Sequence, residues 1–178
     1  SSVAVAGLSV TALQSLTTTQ LAGLTAAQIG ALDATQLAVF PPEQMARWTP
    51  QQIAGLSPAV VASLSTEQVA SLTTAQLRGL KTSQVAALDT VQLAGLSASQ
   101  FATLTTSQLG ALTSTQIAGL PAENFAALEP SQIGALSTTG LAGLTETQID
   151  LLTTRQADGL TAVQLGALNE GQITRFST

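Results

Sequence analysis

The side chains that most often carry catalysis are missing from this sequence. Its 178 residues include no histidine, cysteine or tyrosine, so the usual general base, thiol nucleophile and phenol are absent. Serine and threonine hydroxyls are abundant, but a hydroxyl becomes a nucleophile only beside an activating base. We therefore expect no enzymatic activity and no catalytic residue.

Two aspartates have a spacing that bears on metal binding. Asp150 and Asp158 occupy the same position in two consecutive eight-residue repeats. Two carboxylates on one face could attract calcium, which prefers oxygen ligands. An irregular surface patch beside Ala157 is the simpler interpretation, and we predict no metal ion and no cofactor. The lack of cysteine also excludes disulfides and thiolate metal sites.

The charge pattern argues against two kinds of partner. Ten acidic residues outnumber five scattered basic ones, and the net charge is −5. Nucleic acid requires a clustered basic face, so we expect no nucleic-acid binding, and an anionic membrane surface is disfavoured for the same reason. Every apolar run is interrupted within a few residues by Thr, Ser or Gln, so we also expect no membrane insertion.

An eight-residue repeat runs through the whole chain. A large apolar residue stands at every eighth position from Leu8 to Phe176, and 18 of the 22 residues that follow are Ser, Thr, Asp or Asn. Three residues later, Gln fills 17 of the 20 positions from Gln20 to Gln172. The consensus octad is L-[ST]-x-x-Q-[LIV]-[AG]-[AG]. We interpret residues 1–178 as a single tandem array, excised from a longer one.

Each octad carries the signals that begin a helix. Ser or Thr followed three residues later by Gln forms a capping box, in which the hydroxyl accepts from the third helical amide and Gln reaches back to the cap's own amide. The apolar residues that flank the box, such as Leu96 and Phe101, have the spacing of a hydrophobic staple. Each octad therefore predicts its own short helix.

Proline and acidic residues support this register. Proline is tolerated at the first helical position, where its missing N–H costs nothing. Four prolines fall there, and the other two fall at the cap: Pro42, Pro50, Pro58 and Pro130, then Pro41 and Pro121. Acidic side chains face the positive end of the helix dipole in the first turn: Glu43, Glu67, Glu123, Glu146 and Glu170.

The predicted fold is an all-α solenoid with one very short capped helix per octad. A continuous helix would turn by about 80° between octads and would smear the apolar stripe around its surface. A β-solenoid is the stronger alternative, because short Thr-rich repeats often form one. In a strand, however, the two apolar positions would face opposite sides, and Ala, Gln and Leu favour helix.

Stacking must stabilise these helices, since about six residues are too few to fold alone. The Ala and Gly residues that end each octad allow close backbone approach, and Gly eases the turn into the next cap. Gly alternates between the two terminal positions, as in Gly110-Ala111 and Ala118-Gly119, which suggests two octads per superhelical coil. We expect the first-turn positions, such as Ala98, to be exposed.

The stretch from Phe40 to Pro50 is the most irregular part of the array. Its prolines and the single tryptophan, Trp48, could mark a bend or a partner site. Because Phe40 and Trp48 replace the leucine that precedes the cap in most octads, core filling by larger rings is the simpler interpretation.

Octads such as LTTTQLAG (16–23), LTAAQIGA (24–31) and LTTSQLGA (104–111) resemble segments of very large, repetitive bacterial proteins that are secreted or surface-displayed and adhesin-like. The resemblance covers the whole chain. It implies an extracellular or cell-surface location and a role as a spacer, stalk or adhesive segment. It assigns no functional residues.

These observations lead to a structural module that spaces or projects other parts of a long surface protein. The alternative is a binding solenoid that grips a protein or glycan partner on one face. That alternative would be favoured if the variable positions between cap and Gln clustered by type. Because the array lacks polar end caps, we also expect association end to end.

Overall fold

The computed structural model describes residues 5–176, and this range contains no strand. Between Val10 and Arg175 it forms 21 helices of four to six residues, one per octad. The all-α prediction is confirmed, and the β-solenoid alternative is wrong. The helices are α1 (Val10–Gln14), α2 (Thr18–Ala22), α3 (Ala26–Ile29), α4 (Ala34–Leu37), α5 (Pro42–Met45), α6 (Pro50–Gly55), α7 (Pro58–Ala62), α8 (Thr66–Ala70), α9 (Thr74–Gly79), α10 (Thr82–Ala87), α11 (Thr90–Ala94), α12 (Ala98–Phe101), α13 (Thr106–Gly110), α14 (Ser114–Ala118), α15 (Ala122–Ala126), α16 (Pro130–Ile133), α17 (Thr138–Leu141), α18 (Glu146–Asp150), α19 (Thr154–Ala157), α20 (Ala162–Leu165) and α21 (Glu170–Arg175).

The chain divides into two compact units, Ser1–Leu88 and Asp89–Thr178. Within each unit, a helix packs against the helix three octads later: α3 on α6 and α6 on α9 in the first unit, α14 on α17 and α18 on α21 in the second. One coil of this solenoid-like arrangement therefore takes three octads. The two octads per coil suggested by the glycine alternation are wrong.

The helices begin where the capping signals predict. In α9, the amide of Gln76 donates to the Thr73 hydroxyl (3.3 Å) and the amide of Thr73 donates to Gln76 Oε1 (2.7 Å). Four prolines occupy the first helical position and two occupy the cap, as expected. At Lys81 and Glu129, which carry no accepting hydroxyl, the glutamine half of the box remains, at 2.7 and 2.8 Å.

Two apolar positions of each octad form the core. In most octads the residue at the fourth helical position is fully buried, as Ile53, Leu77 and Phe101 show, and the large apolar residue before the cap is nearly so. The rings of Phe40 and Trp48 meet edge to face, with centroids 5.3 Å apart. Trp48 is buried, so core filling is confirmed for both rings, although Trp48 Nε1 has no hydrogen-bond partner among the described residues.

Glycine late in the octad serves close approach between coils. A Cβ on Gly55 would overlap the backbone carbonyl of Ala26, and one on Gly143 would overlap that of Ser114. These partners stand at the first helical position three octads earlier. No glycine from residue 5 to 176 has a positive φ, so the turns into the caps do not depend on glycine's conformational freedom, contrary to the expectation from sequence.

The two first-turn positions differ in burial. The second helical position, for example Ser99, is exposed throughout the described residues. Ala98, at the first position, is half-buried rather than exposed, because this position faces the end of the helix three octads later. The expectation of exposure is therefore correct at the second position, whereas the first position is exposed in only some octads, such as at Thr74 and Thr82.

Candidate functional site

The most regular polar feature of the molecule is a row of glutamines at the third helical position. Most are buried, and the exposed fractions of the buried ones run from 0% at Gln84 to 6% at Gln36. Many of the glutamines in the row contact an earlier coil of the same unit through the side-chain amide. We call them the inter-coil glutamines: Gln36, Gln52, Gln68, Gln76 and Gln84 in the first unit, and Gln132, Gln148, Gln156, Gln164 and Gln172 in the second.

The carboxamide of Gln84 shows how one side chain can both cap its own helix and contact an earlier coil. Its Oε1 accepts from the Lys81 amide at 2.7 Å, which completes the capping interaction and fixes the orientation of the group. Its Nε2 then donates to two backbone carbonyls of an earlier octad, Ile53 at 3.0 Å and Leu56 at 2.9 Å. Both N–H groups and the oxygen are used, so burial leaves no polar atom of this side chain unpaired.

The same geometry recurs with a fixed offset. Gln148 donates to the carbonyls of Ile117 (2.7 Å) and Leu120 (3.0 Å), which lie 31 and 28 residues earlier. The residue 28 positions back is the leucine before a cap, whose carbonyl lies between two helices. The glutamine thus satisfies a buried acceptor that the helices leave unpaired, which is worth about 1 kcal/mol net for each bond.

Departures from glutamine change the contact as the geometry requires. At Asn124 the side chain is one methylene shorter, and Nδ2 donates only to the Leu96 carbonyl, at 3.0 Å. The cap of that octad is Pro121, which has no N–H, so the shorter side chain gives up no capping bond. Val60 and Gly140 have no side-chain donor at all.

Restoring the glutamine at position 60 is expected to stabilise the first unit. In Val60→Gln the new side chain can accept from the Ser57 amide and donate to the carbonyls of Ile29 and Leu32, 31 and 28 residues earlier. We expect a gain of about 1 kcal/mol in the free energy of unfolding. Urea denaturation followed by the fluorescence of Trp48, the single tryptophan, measures it. Ala59→Gln, at an exposed neighbouring position, is the control, and equal midpoints for the two variants would contradict the assignment.

The two aspartates singled out by their spacing are not brought together by the coil. Asp150 ends α18, whereas Asp158 follows α19, a different helix of the coil. The coil instead brings Arg175 to Asp150 Oδ2, at 3.3 Å, and to the carboxylate of Glu146. No group of three or more acidic residues with a metal-binding arrangement occurs in residues 5–176.

The remaining charged groups lie at the surface. Arg155 and Glu129 form an exposed ion pair at 3.3 Å, of a kind that contributes at most about 1 kcal/mol. At Glu67, hydrogen bonds from its own backbone and from the Ser65 side chain lower the pKa of the carboxyl below its ordinary value. These charged groups are therefore exposed surface groups.

The octad pattern predicts only a capping role for the glutamines and does not reveal their contact with an earlier coil. Glutamate serves a capping box as well as glutamine does, yet the third helical position is never glutamate in this chain. That preference is the signal for a second task, because only the carboxamide also donates hydrogen bonds.

A stack of octads in which a recurring glutamine joins one coil to another is typical of a helical repeat protein. The ALTTAQ repeat family matches the chain four times, at residues 45–82, 70–106, 85–121 and 125–162, and the chain belongs to this family. Comparison with curated proteins finds no match. None of the helices in the described range is long and apolar enough to cross a membrane.

Proposed function

We propose that the chain is a non-catalytic structural repeat module, acting as a spacer, stalk or scaffold segment of a long extracellular bacterial protein. The observation that carries the proposal is the row of inter-coil glutamines. Glutamine, the polar side chain that recurs most regularly in the octad, uses its carboxamide to join one coil to another. Membership in a repeat family also accords with a structural role. The extracellular setting follows from the resemblance of the octads alone.

The surface also suits a spacer. Charged residues make up only 8% of the chain, and the exposed second helical position carries small or neutral side chains in most octads. Such a surface has few groups for specific recognition. Its bases are scattered, so a role in binding nucleic acid is not part of the proposal.

The binding solenoid gains no specific support from the exposed positions. In the second unit, successive coils present Val91, Thr115, Thr139 and Val163 at equivalent sites, which differ in polarity. A recognition face of repeated side chains would require one type on one side. The spacer is therefore the function we propose.

Distance measurements between spin labels test the spacer within the second unit. Ser99, Glu123 and Thr147 occupy the exposed second helical position, one coil apart. The chain has no cysteine, so single cysteines introduced at these sites are labelled cleanly. In a module that adds a constant length per coil, the distance between labels at 99 and 147 is expected to be about twice that between 99 and 123.

Narrow distributions at both spacings would support a stiff spacer. A 99–147 distance no longer than the 99–123 distance, or broad distributions in the folded protein, would contradict it. Circular dichroism of each labelled variant serves as the control that the helices are retained.

A further inference from the structure

The coils of the first unit do not all pack on one another equally. Residues 64–87 (α8–α10) contact residues 40–63 (α5–α7) through all three helix pairs, α5 with α8, α6 with α9 and α7 with α10. Residues 40–63 contact residues 16–39 (α2–α4) extensively only through α3 and α6. We call the contact between 16–39 and 40–63 the early seam, and the contact between 40–63 and 64–87 the late seam.

Hydrogen bonds from the glutamines differ between the two seams in the same way. Across the late seam, all three glutamines donate to carbonyls of the earlier coil: Gln68, Gln76 and Gln84. Across the early seam, Gln52 donates to the Leu24 carbonyl at 2.6 Å. The two equivalent positions hold Gln44, whose carboxamide has no partner within residues 5–176, and Val60, which has no donor. The early seam therefore lacks two of its three glutamine contacts.

Residues of the early seam itself account for this weakness. Pro41 caps the helix of Gln44 and has no N–H, so nothing holds the carboxamide in the orientation that the inter-coil glutamines share. The offsets of 31 and 28 residues seen at Gln84 assign four carbonyl acceptors to positions 44 and 60: Leu13, Leu16, Ile29 and Leu32. All four lie in the described part of the chain, so the acceptors are present and only the donors are missing.

A buried donor without a partner lies in the coil of residues 40–63. Within the described range 5–176, Trp48 Nε1 is the one buried side-chain nitrogen or oxygen that has no hydrogen bond. Such a donor destabilises the closed state, because water would satisfy it whenever the coil opens. The unpaired indole and the two missing glutamine contacts therefore act in the same direction.

We propose that the early seam is a release joint, at which residues 16–39 part from residues 40–63 while the late seam is still closed. The contact between α3 and α6 and the Gln52 bond hold the joint shut at rest. Mild denaturant or a pulling force along the array opens this joint first, because fewer contacts resist opening there. This inference rests on the proposed structural role and deepens it, since a spacer with such a joint lengthens under load at a defined place.

Distances between spin labels, measured in the full chain at increasing urea concentration, test the proposal. The exposed second helical position supplies three label sites, Thr35, Ala59 and Ser83. A cysteine pair at 35 and 59 spans the early seam, and a pair at 59 and 83 spans the late seam. The bonds that Gln68 and Gln84 make have no counterparts in the early seam. We therefore expect the 35–59 distance to lengthen at a urea concentration lower by about 1 M or more than the 59–83 distance.

Pro41→Thr/Val60→Gln is the variant that repairs the joint. It supplies the N–H that orients the Gln44 carboxamide and adds a second carboxamide at position 60, so the two urea midpoints are expected to coincide. Pro42→Thr/Val60→Thr is the matched control. It adds hydroxyl groups to the same two octads, but it neither orients Gln44 nor provides a donor long enough to reach an earlier coil. The difference between the midpoints should remain in this control.

Equal midpoints for the two label pairs in the otherwise unaltered chain would overturn the proposal. A difference that persists in Pro41→Thr/Val60→Gln, or that disappears in the control, would overturn it as well. The outcome is separable from the spacer test, which measures label distances within the second unit. Broad distributions there would remove the spacer and leave the comparison of the two seams intact.

Discussion

Replacing Gln84 with glutamate is expected to destabilise the first unit by roughly 3–5 kcal/mol at neutral pH, since an uncompensated charge in a buried site costs that much. The substitution preserves shape and the capping acceptor. It replaces the Nε2 donor with a carboxylate oxygen that faces the carbonyls of Ile53 and Leu56 in a side chain with no solvent exposure. Urea denaturation followed by Trp48 fluorescence measures the loss.

The pH dependence of this variant has a defined sign. Burial and two facing carbonyl oxygens raise the pKa of the introduced carboxyl in the folded state above its unfolded value. The folded protein therefore holds the proton more tightly, and the stability of Gln84→Glu is highest in acid and falls as the pH rises. The deficit relative to wild type should shrink as the pH is lowered toward about 4.

The matched control is Gln20→Glu. Gln20 has the same place in its octad and accepts the same capping bond from the Thr17 amide, but it is exposed and donates to no earlier coil within residues 5–176. Glutamate at this first-turn position also faces the positive end of the helix dipole. We expect its free energy of unfolding to stay within about 0.5 kcal/mol of wild type. Equal losses in the two variants would mean that the glutamines act only through capping.

Gly55→Ala is the second substitution with a large expected effect. A Cβ at this position would overlap the Ala26 carbonyl, and because the obstacle is backbone rather than a flexible side chain, α3 and α6 would have to separate. We expect a loss of at least about 2 kcal/mol, at the upper part of the range for overpacked cores. Thermal unfolding monitored by circular dichroism and by Trp48 fluorescence detects it.

Gly23→Ala provides the comparison, because Gly23 has the same position in its octad. Its added Cβ would meet only its own helix, at 3.4 Å from the Gln20 carbonyl, and its φ of −77° suits alanine. This substitution reduces the freedom of the unfolded chain and is expected to stabilise by about 0.4–1 kcal/mol. A melting temperature for Gly55→Ala at or above that of Gly23→Ala would refute close packing of the coils.

Local signals in the sequence were sufficient to place every helix. The cap, the glutamine and the apolar residue that follows it lie within five consecutive residues, so the register of α1–α21 could be predicted from local interactions. The burial of Phe40 and Trp48 could be predicted for the same reason. Once the octad forms a capped helix, the apolar position before the cap, which Phe40 and Trp48 occupy, is assigned to the core.

The number of octads per coil could not be predicted, because it is set by contacts that lie 24 to 31 residues apart. Gly110 and Gly119, which suggested a two-octad period, make separate close approaches, to the Ala135 carbonyl and to the Thr90 side chain. The half-burial of Ala98 has the same origin. The preference for glutamine over glutamate was visible in the sequence, but its acceptors could be named only once three octads were known to form a coil.

The inter-coil hydrogen bonds have a fixed direction along the chain: the donor glutamine always belongs to a later octad than its carbonyl acceptors. A growing polypeptide is released from its amino end first. Each glutamine would therefore leave the ribosome after both of its acceptors have been made, and newly synthesised turns could be added onto a template that already exists. Such a protein could be folded progressively during translation, however many octads its messenger RNA encodes.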